Sequence, residues 1–292
     1  MILAPLRGVT IRCFRETFAD VIRDAGFTEA ITPFIPAMPG LDPMRNEELR
    51  TKNGEHSPFL LTPQFIGKDP NALRACLEKV KAAGYETADL NCGCPFPMVR
   101  NKGRGSGLLR TPDVLRQMLE VGCETMGPGK FSVKARLGVD RSDELLKLMP
   151  LINAFPLRFL TVHARTARQM YEGACDAAAL QKIVESSKVP IVVNGDIPFP
   201  PHSSSLIPHP SFFMIGRSFI RSLGTREDAC DLLERYIAAS QAELCGDRPV
   251  LGRMKELIAY WKDLPRWRRR WNVVKLCRSV DELRTTLAND RA

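Results

Sequence analysis

No uninterrupted apolar run approaches the ~18 residues that a membrane-spanning helix needs, and the opening Met1-Ile2-Leu3-Ala4-Pro5 carries no basic leader. These absences point to a soluble, cytoplasmic protein. The nine cysteines are odd in number and lack any paired Cys-x-x-Cys spacing, which argues against a disulfide framework or a zinc ribbon and favours reduced thiols with no metal centre. No internal repeat is visible, so a solenoid is not expected.

The chain does have enough apolar material for a large core: 292 residues, 44% of them hydrophobic. Its net charge of +9 is unevenly spread, since Arg248 to Ala292 holds twelve Lys/Arg against five Asp/Glu. A basic region this concentrated is the footprint of a polyanion binder, although a charge run more often makes a solvated helical face.

Eight β-rich runs recur through the first three quarters: 1–5, 29–35, 58–67, 87–93, 131–138, 159–165, 190–197 and 212–218. Between them lie helical patterns such as Leu73, Cys76, Leu77 and Val80, or Leu145, Leu148, Met149 and Ile152. Asp69-Pro70 and Thr111-Pro112 read as N-caps followed by a first-turn proline. Alternation predicts a parallel sheet, and apolar runs such as Ile191-Val192-Val193 predict strands covered on both faces. Eight such strands favour an α/β fold of the (β/α)8 TIM-barrel kind, with its chemistry at the C-terminal ends of the strands. The proline- and serine-rich stretch 198–210 predicts a loop in place of the helix between strands seven and eight. From Arg226 the pattern turns all-helical, with Ala229, Leu232, Leu233 and Tyr236 on one face and Met254, Leu257, Ile258 and Trp261 on another. Two domains are therefore expected, a barrel over 1–225 and a small helical domain over 226–292.

Strand four ends in Asn91-Cys92-Gly93-Cys94-Pro95, and the glycine-rich stretch 96–110 that follows has no period of two or 3.6. A loop of that length in a compact domain is commonly functional, while a buried structural thiol before a flexible loop would look the same. Asn194-Gly195-Asp196 and Gly216-Arg217 end strands seven and eight, the recurrent phosphate position of barrel enzymes. Lys134 lies inside strand five, where a Schiff base, a salt bridge and a cation for an anionic cofactor compete as readings. With His163 on strand six and Gln64 on strand three, polar groups converge on one rim. A large flat ligand with a phosphate tail fits it.

Six segments, in order and spacing, resemble the tRNA-dihydrouridine synthases across nearly the whole chain: Ala4–Thr10, Leu90–Pro95, Lys134–Gly138, His163–Thr166, Asn194–Asp196 and Met214–Arg217. The tail from Gly252 through Trp261 to Leu283 looks closest to the bacterial C-type synthases, which modify uridine sixteen of the D-loop. The resemblance implies an FMN-bearing barrel that reduces a tRNA uridine with NADPH, hydride passing from flavin N5 to uracil C6 and a proton from Cys94 to C5. It implies that Pro5, Leu6 and Arg7 lie against the isoalloxazine, that Gln64 and Lys134 meet its polar edge and that His163 supports it. Asn194, Gly195, Asp196, Gly216 and Arg217 would hold the phosphate end. Asn91 and Arg165 would meet the uridine, and Arg266, Arg268, Arg269 and Arg270 the tRNA backbone, the enzyme acting as a monomer. Cys92 has no role in the pattern and is expected to point into the wall. Trp267 and Trp271, four apart, are expected to pack inward, so not all four arginines can face RNA.

Three departures stand out. Arg7 replaces a small, acidic or amide residue, Ala174-Cys175-Asp176-Ala177 lacks the tryptophan common in the family, and the stretch between strands seven and eight is short. Competing readings are an FMN reductase of a free pyrimidine, a Schiff-base aldolase using Lys134, and a non-catalytic RNA-binding barrel.

Overall fold

The β-rich runs form ten short strands: β1 (Ile2–Leu3), β2 (Glu29–Ile31), β3 (Ile35–Pro36), β4 (Leu60–Thr62), β5 (Gln64–Ile66), β6 (Ala88–Cys92), β7 (Phe131–Gly138), β8 (Leu160–Thr166), β9 (Ile191–Asn194) and β10 (Phe212–Ile215). This computed structural model describes residues 1–49, 58–201 and 212–288. All pairings are parallel, in the order β3-β5-β6-β7-β8-β9-β10-β1-β2-β4. The two ends of that order are halves of adjacent runs. Because β2 pairs with β4 and β3 with β5, the runs 29–36 and 60–66 lie side by side and the sheet curls into a barrel of eight staves. Pro33 and Pro63, which have no N–H to give, separate the halves of each of these staves. Gln64 thus opens β5.

The helical patterns form where the apolar spacing places them. In Pro70–Ala82 the buried side chains are Ala72, Leu73, Cys76, Leu77 and Val80, and the Asp69 carboxylate accepts from the N–H groups of Asn71 and Ala72. Thr111 does not cap Pro112–Met126, because its hydroxyl donates to the Leu108 carbonyl. The expected loop 96–110 contains a helical turn, Pro97–Arg100, and a 3-10 segment, Gly105–Arg110. Of the loop expected over 198–210, residues 198–201 are non-helical and the remainder lie outside the described residues.

Beyond the barrel come helices Ala229–Glu243, Asp247–Ile258, Pro265–Val274 and Val280–Ala288. Trp261 and Trp267 fix them to the last barrel helix, Arg217–Leu223: their indole N–H groups donate to the carbonyls of Ile220 and Gly224, each at 2.7 Å, and both rings are buried. Truncating a tryptophan buried in this way costs about 3–5 kcal/mol. Glu243 adds a charged tie, accepting from Arg12 on the barrel and Arg253 on the next helix. Among the described residues no helix is long and apolar enough to cross a membrane. All nine cysteines are free thiols.

Candidate active site

Strand register gathers the polar residues at one end of the barrel. Asn91 lies opposite Lys134, Arg136 opposite His163, and His163 opposite Asn194. Above them opens a cavity of about 980 Å³. Pro5, Leu6, Arg7, Asn91, Cys94, Lys134, His163, Asn194, Gly195, Asp196, Gly216 and Arg217 all line it. The turn Pro5–Arg7 is held by Thr10, whose hydroxyl accepts the Leu6 N–H at 2.7 Å and donates to the Ala4 carbonyl at 3.0 Å.

Cys94 is fixed from both sides. Its N–H donates to Asn91 Oδ1 at 2.8 Å, and its carbonyl accepts the Ser106 hydroxyl at 2.8 Å. Gly105 makes this fold-back possible. It sits at φ +57°, and a Cβ there would stand 2.8 Å from that of Cys94. The thiol faces the cavity at 5% exposure, and burial pushes its pKa up, so it is protonated at neutral pH. Cys92 is fully buried in the wall, as expected, and burial pushes its thiol up further.

Beneath these residues runs a buried chain of hydrogen bonds. Asn91 Nδ2 donates to Gln64 Oε1 at 2.8 Å, Gln64 Nε2 donates to Asp89 at 2.8 Å, and Ser132 donates to Asp89 at 2.6 Å. Gln64 is therefore behind Asn91, not on the cavity wall where the sequence reading put it, and both ends of its amide are engaged. Burial raises the Asp89 carboxyl to about 6, opposed by its bonds to Ser132 and Gln64 and by the charge of Lys134. Lys134 also lines the cavity; burial, and then Arg136, lower its ammonium to about 8. Burial holds His163 well below its ordinary value, reinforced by Lys134, Arg136, Arg165 and Arg217, so the imidazole is neutral.

Arg165 also departs from expectation. It does not line the cavity; it donates to the carbonyls of Glu172 and Gly173 and pairs with Asp196 from a buried position. Asp196, a non-glycine residue at φ +48°, also accepts from Arg217 at 2.7 Å. Asp176 caps helix Ala177–Ser186 by accepting from the Ala179 N–H, a local role for the residue beside the missing tryptophan. In the tail, Arg268 and Arg269 are exposed, Arg266 bonds the Arg226 carbonyl at 3.0 Å, and Trp267 is buried. Arg270 is buried at 6%, over the Trp267 ring and bonded to Cys230, so its expected RNA contact is corrected to a packing role.

Two groups of cavity residues were missed. Arg136 brackets the site, donating to the carbonyls of Gly93, Thr166 and Met170, with its guanidinium 5.3 Å from the Tyr171 ring. Its alternation with Lys134 on β7 was the available signal. The second group, Glu256, Ala259, Tyr260 and Asp263, comes from the helical segment. Their spacing repeats i, i+3, i+4, i+7, a stripe beside the apolar one that could have been read. The Glu256 carboxylate packs against Gly8 (φ +81°) so closely that it occupies the space a Cβ there would need. Barrel loop and helical segment thus close one wall together.

With this geometry in place, a family model for dihydrouridine synthase matches residues 2–221. The chain belongs to the dihydrouridine synthase family. It is similar to a tRNA-dihydrouridine synthase B of Vibrio vulnificus, 26% identical over 221 residues covering 74% of this chain and 66% of the relative. A Pseudomonas aeruginosa protein of the same name is 29% identical over 209 residues, covering 71% and 61%. A tRNA-dihydrouridine(16) synthase of Shigella flexneri is 29% identical over 205 residues, covering 68% and 64%. The match spans less than two thirds of the length of these relatives, 61–66%. Among solved structures, a morphinone reductase variant in complex with tetrahydroNAD has a TM-score of 0.55 at 10% identity, covering 75% of this chain and 83% of that one. An old yellow enzyme homologue from Zymomonas mobilis has a TM-score of 0.53 at 12% identity, covering 76% and 85%. These two place the family barrel among related TIM-barrel folds. The matched span includes Cys94, Lys134 and His163 and stops short of the helical tail.

Proposed function

We propose that this chain is a flavin-dependent tRNA-dihydrouridine synthase that reduces the C5=C6 bond of a D-loop uridine, at position sixteen, with FMN as cofactor and NADPH as reductant. The observation that carries the reading is a protonated, backbone-pinned thiol, Cys94, opening into the same cavity as the Lys134 ammonium. The residues present fit a flavin. The cavity is at the upper end of the ~300–1,000 Å³ range of ligand sites, and its lining combines apolar Pro5 and Leu6 with the cations of Arg217 and Arg221. Lys134 and His163 would hold the ring, and Asn194, Gly195, Gly216 and Arg217 the phosphate. Asp196, itself an anion, would orient Arg217 rather than touch the phosphate. Bound there, FMN would supply the electron pair for the reduction and NADPH would restore it.

The protein's own contribution is placement and proton supply. Asn91 spends one amide hydrogen on Gln64 and keeps one for a uracil carbonyl, while its oxygen sets the position of Cys94. The raised thiol pKa keeps the proton on Cys94 until negative charge develops at uracil C5. Lys134 supplies a fixed cation in a water-poor site. The uridine must leave the RNA stack to arrive there. The reading assigns chemistry to the barrel over 1–225, tRNA grip to 226–292, and a monomer working in the cytoplasm. Position sixteen rests on the tail, which the family match does not cover.

The test is expression of wild-type and Cys94→Ala protein in a bacterial host lacking all its dihydrouridine synthases, followed by mapping of dihydrouridine in tRNA. Modification at position sixteen with wild type, and a loss of about 10²-fold or more with Cys94→Ala, is expected. Modification elsewhere overturns the position. No modification by purified flavin-loaded wild type overturns the activity.

A further inference from the structure

One edge of the cavity mouth carries apolar side chains turned outward. Beside Cys94, Phe96 is 43% and Met98 74% exposed, and in the segment after β3 Met38 and Leu41 are 39% and 44% exposed. Four of the eight large exposed hydrophobic residues among those described therefore fall in two short segments. The segments meet: the Arg104 guanidinium lies 3.7 Å from Met38 Sδ, and the Arg104 N–H donates to Val99, next to Met98. Lys68 reaches the same edge, its Cδ 3.4 Å from where a Cβ on Gly103 would stand. Among the described residues neither Lys68 nor Arg104 is paired with a carboxylate. Phe96 also lines the cavity, so the apolar edge is continuous with the site itself.

Contiguous exposed apolar surface of this kind marks an interaction site, and the cations beside it choose the partner. An extruded base leaves its neighbours with an unstacked face, which apolar side chains can cover, and each neighbour carries a phosphate within reach of a cation. Resting on the synthase reading, we propose that Phe96 and Met98, backed by Met38 and Leu41, form a ledge for the nucleotides flanking the extruded uridine, with Lys68 and Arg104 meeting their phosphates.

The experiment uses flavin-loaded enzyme and a tRNA transcript with 2-aminopurine immediately 3′ of the target uridine. Wild type is expected to change the 2-aminopurine fluorescence on binding. Met98→Asp should abolish that change and lower kcat/KM on tRNA by about tenfold or more, with Met98→Leu restoring both. Flavin content and the rate of flavin reduction by NADPH should stay at wild-type level in both variants, which separates the ledge from a folding defect. Lys68→Glu, at an exposed position, should independently reduce the salt slope of tRNA binding by about one. Wild-type turnover accompanied by unchanged kcat/KM and fluorescence in Met98→Asp overturns the ledge and leaves the synthase reading standing. Absence of tRNA turnover by wild type overturns both.

Discussion

The barrel mouth and the helical segment are both rich in arginine, and they use it in opposite ways. At the mouth, Arg136 and Arg165 spend their donors on backbone carbonyls at Gly93, Thr166, Met170, Glu172 and Gly173. They act as brackets that fix loops around Cys94 and Asp196, and their charge is held in place. In the run Arg266–Arg270, two guanidiniums are committed to the protein's own backbone or core and two stand in solvent. A count of positive charge therefore says little about function; the partner of each guanidinium decides. The mouth should control the chemical step and the tail the grip on RNA, a division between kcat and KM that substitutions can break.

The largest effect beyond Cys94 itself is expected at Asn91. Replacing it by alanine strips the acceptor from the N–H groups of Gly93 and Cys94 and the donor from Gln64. Each buried group left unpaired costs about 1–3 kcal/mol, and a misplacement of the thiol by about 1 Å costs on the order of 10²-fold in rate. Asn91→Ala should lower kcat by about tenfold to a hundredfold with tRNA affinity retained, read from single-turnover kinetics and equilibrium binding. A loss confined to KM would erase the division between the two regions.

A smaller effect, of opposite sign for stability, is expected at Lys134. Its ammonium titrates at about 8 in the folded protein, lowered chiefly by burial, whereas an unfolded lysine titrates near ~10.4. Between those values the unfolded chain binds more protons, so this group's contribution to stability rises with pH across that window and its penalty is complete below about 8. Lys134→Met should stabilise flavin-free protein at pH 7 by about 1–2 kcal/mol while lowering turnover, and the stability gain should shrink toward pH 10. Denaturant titrations at the two pH values check this. A less stable variant at pH 7 would mean that the ammonium is a structural tie and not a cation kept for function.

How much of this was legible depends on the range of each interaction. Ile191-Val192-Val193 and the spacing of Leu73, Cys76, Leu77 and Val80 declare strand and helix within one turn of chain, so the barrel could be read. Gln64 could not be placed, because its role is set by Asp89 and Asn91, 25 and 27 residues away across a register that the sequence does not state. The stretch after Cys94 shows no period because it is built from one helical turn and a 3-10 segment, and glycine and Ser106 fold it back on the thiol. The polar stripe from Glu256 to Asp263 did carry a helical period, yet nothing local says that it faces a cavity and not solvent.

The tail offers the finest test of the contrast, since neighbouring arginines should respond differently to the same substitution. Arg268 and Arg269 are exposed, so Arg268→Ala and Arg269→Ala should leave Tm within experimental scatter and each flatten the salt dependence of tRNA binding by about one unit of slope. Arg270 lies over the Trp267 ring in a buried position, so Arg270→Ala should lower Tm through lost packing and leave the salt slope unchanged once the protein is folded. Binding isotherms across a salt series, paired with thermal unfolding, separate the two outcomes. If Arg270→Ala flattened the slope as much as Arg268→Ala does, the guanidinium over Trp267 would have to swing out to meet RNA, and the tail would be a rearranging surface instead of a rigid one. If neither exposed arginine altered the slope, the RNA would have to cross another face of the helical segment, and the polar stripe that closes the cavity beside Glu256 would become the next surface to probe.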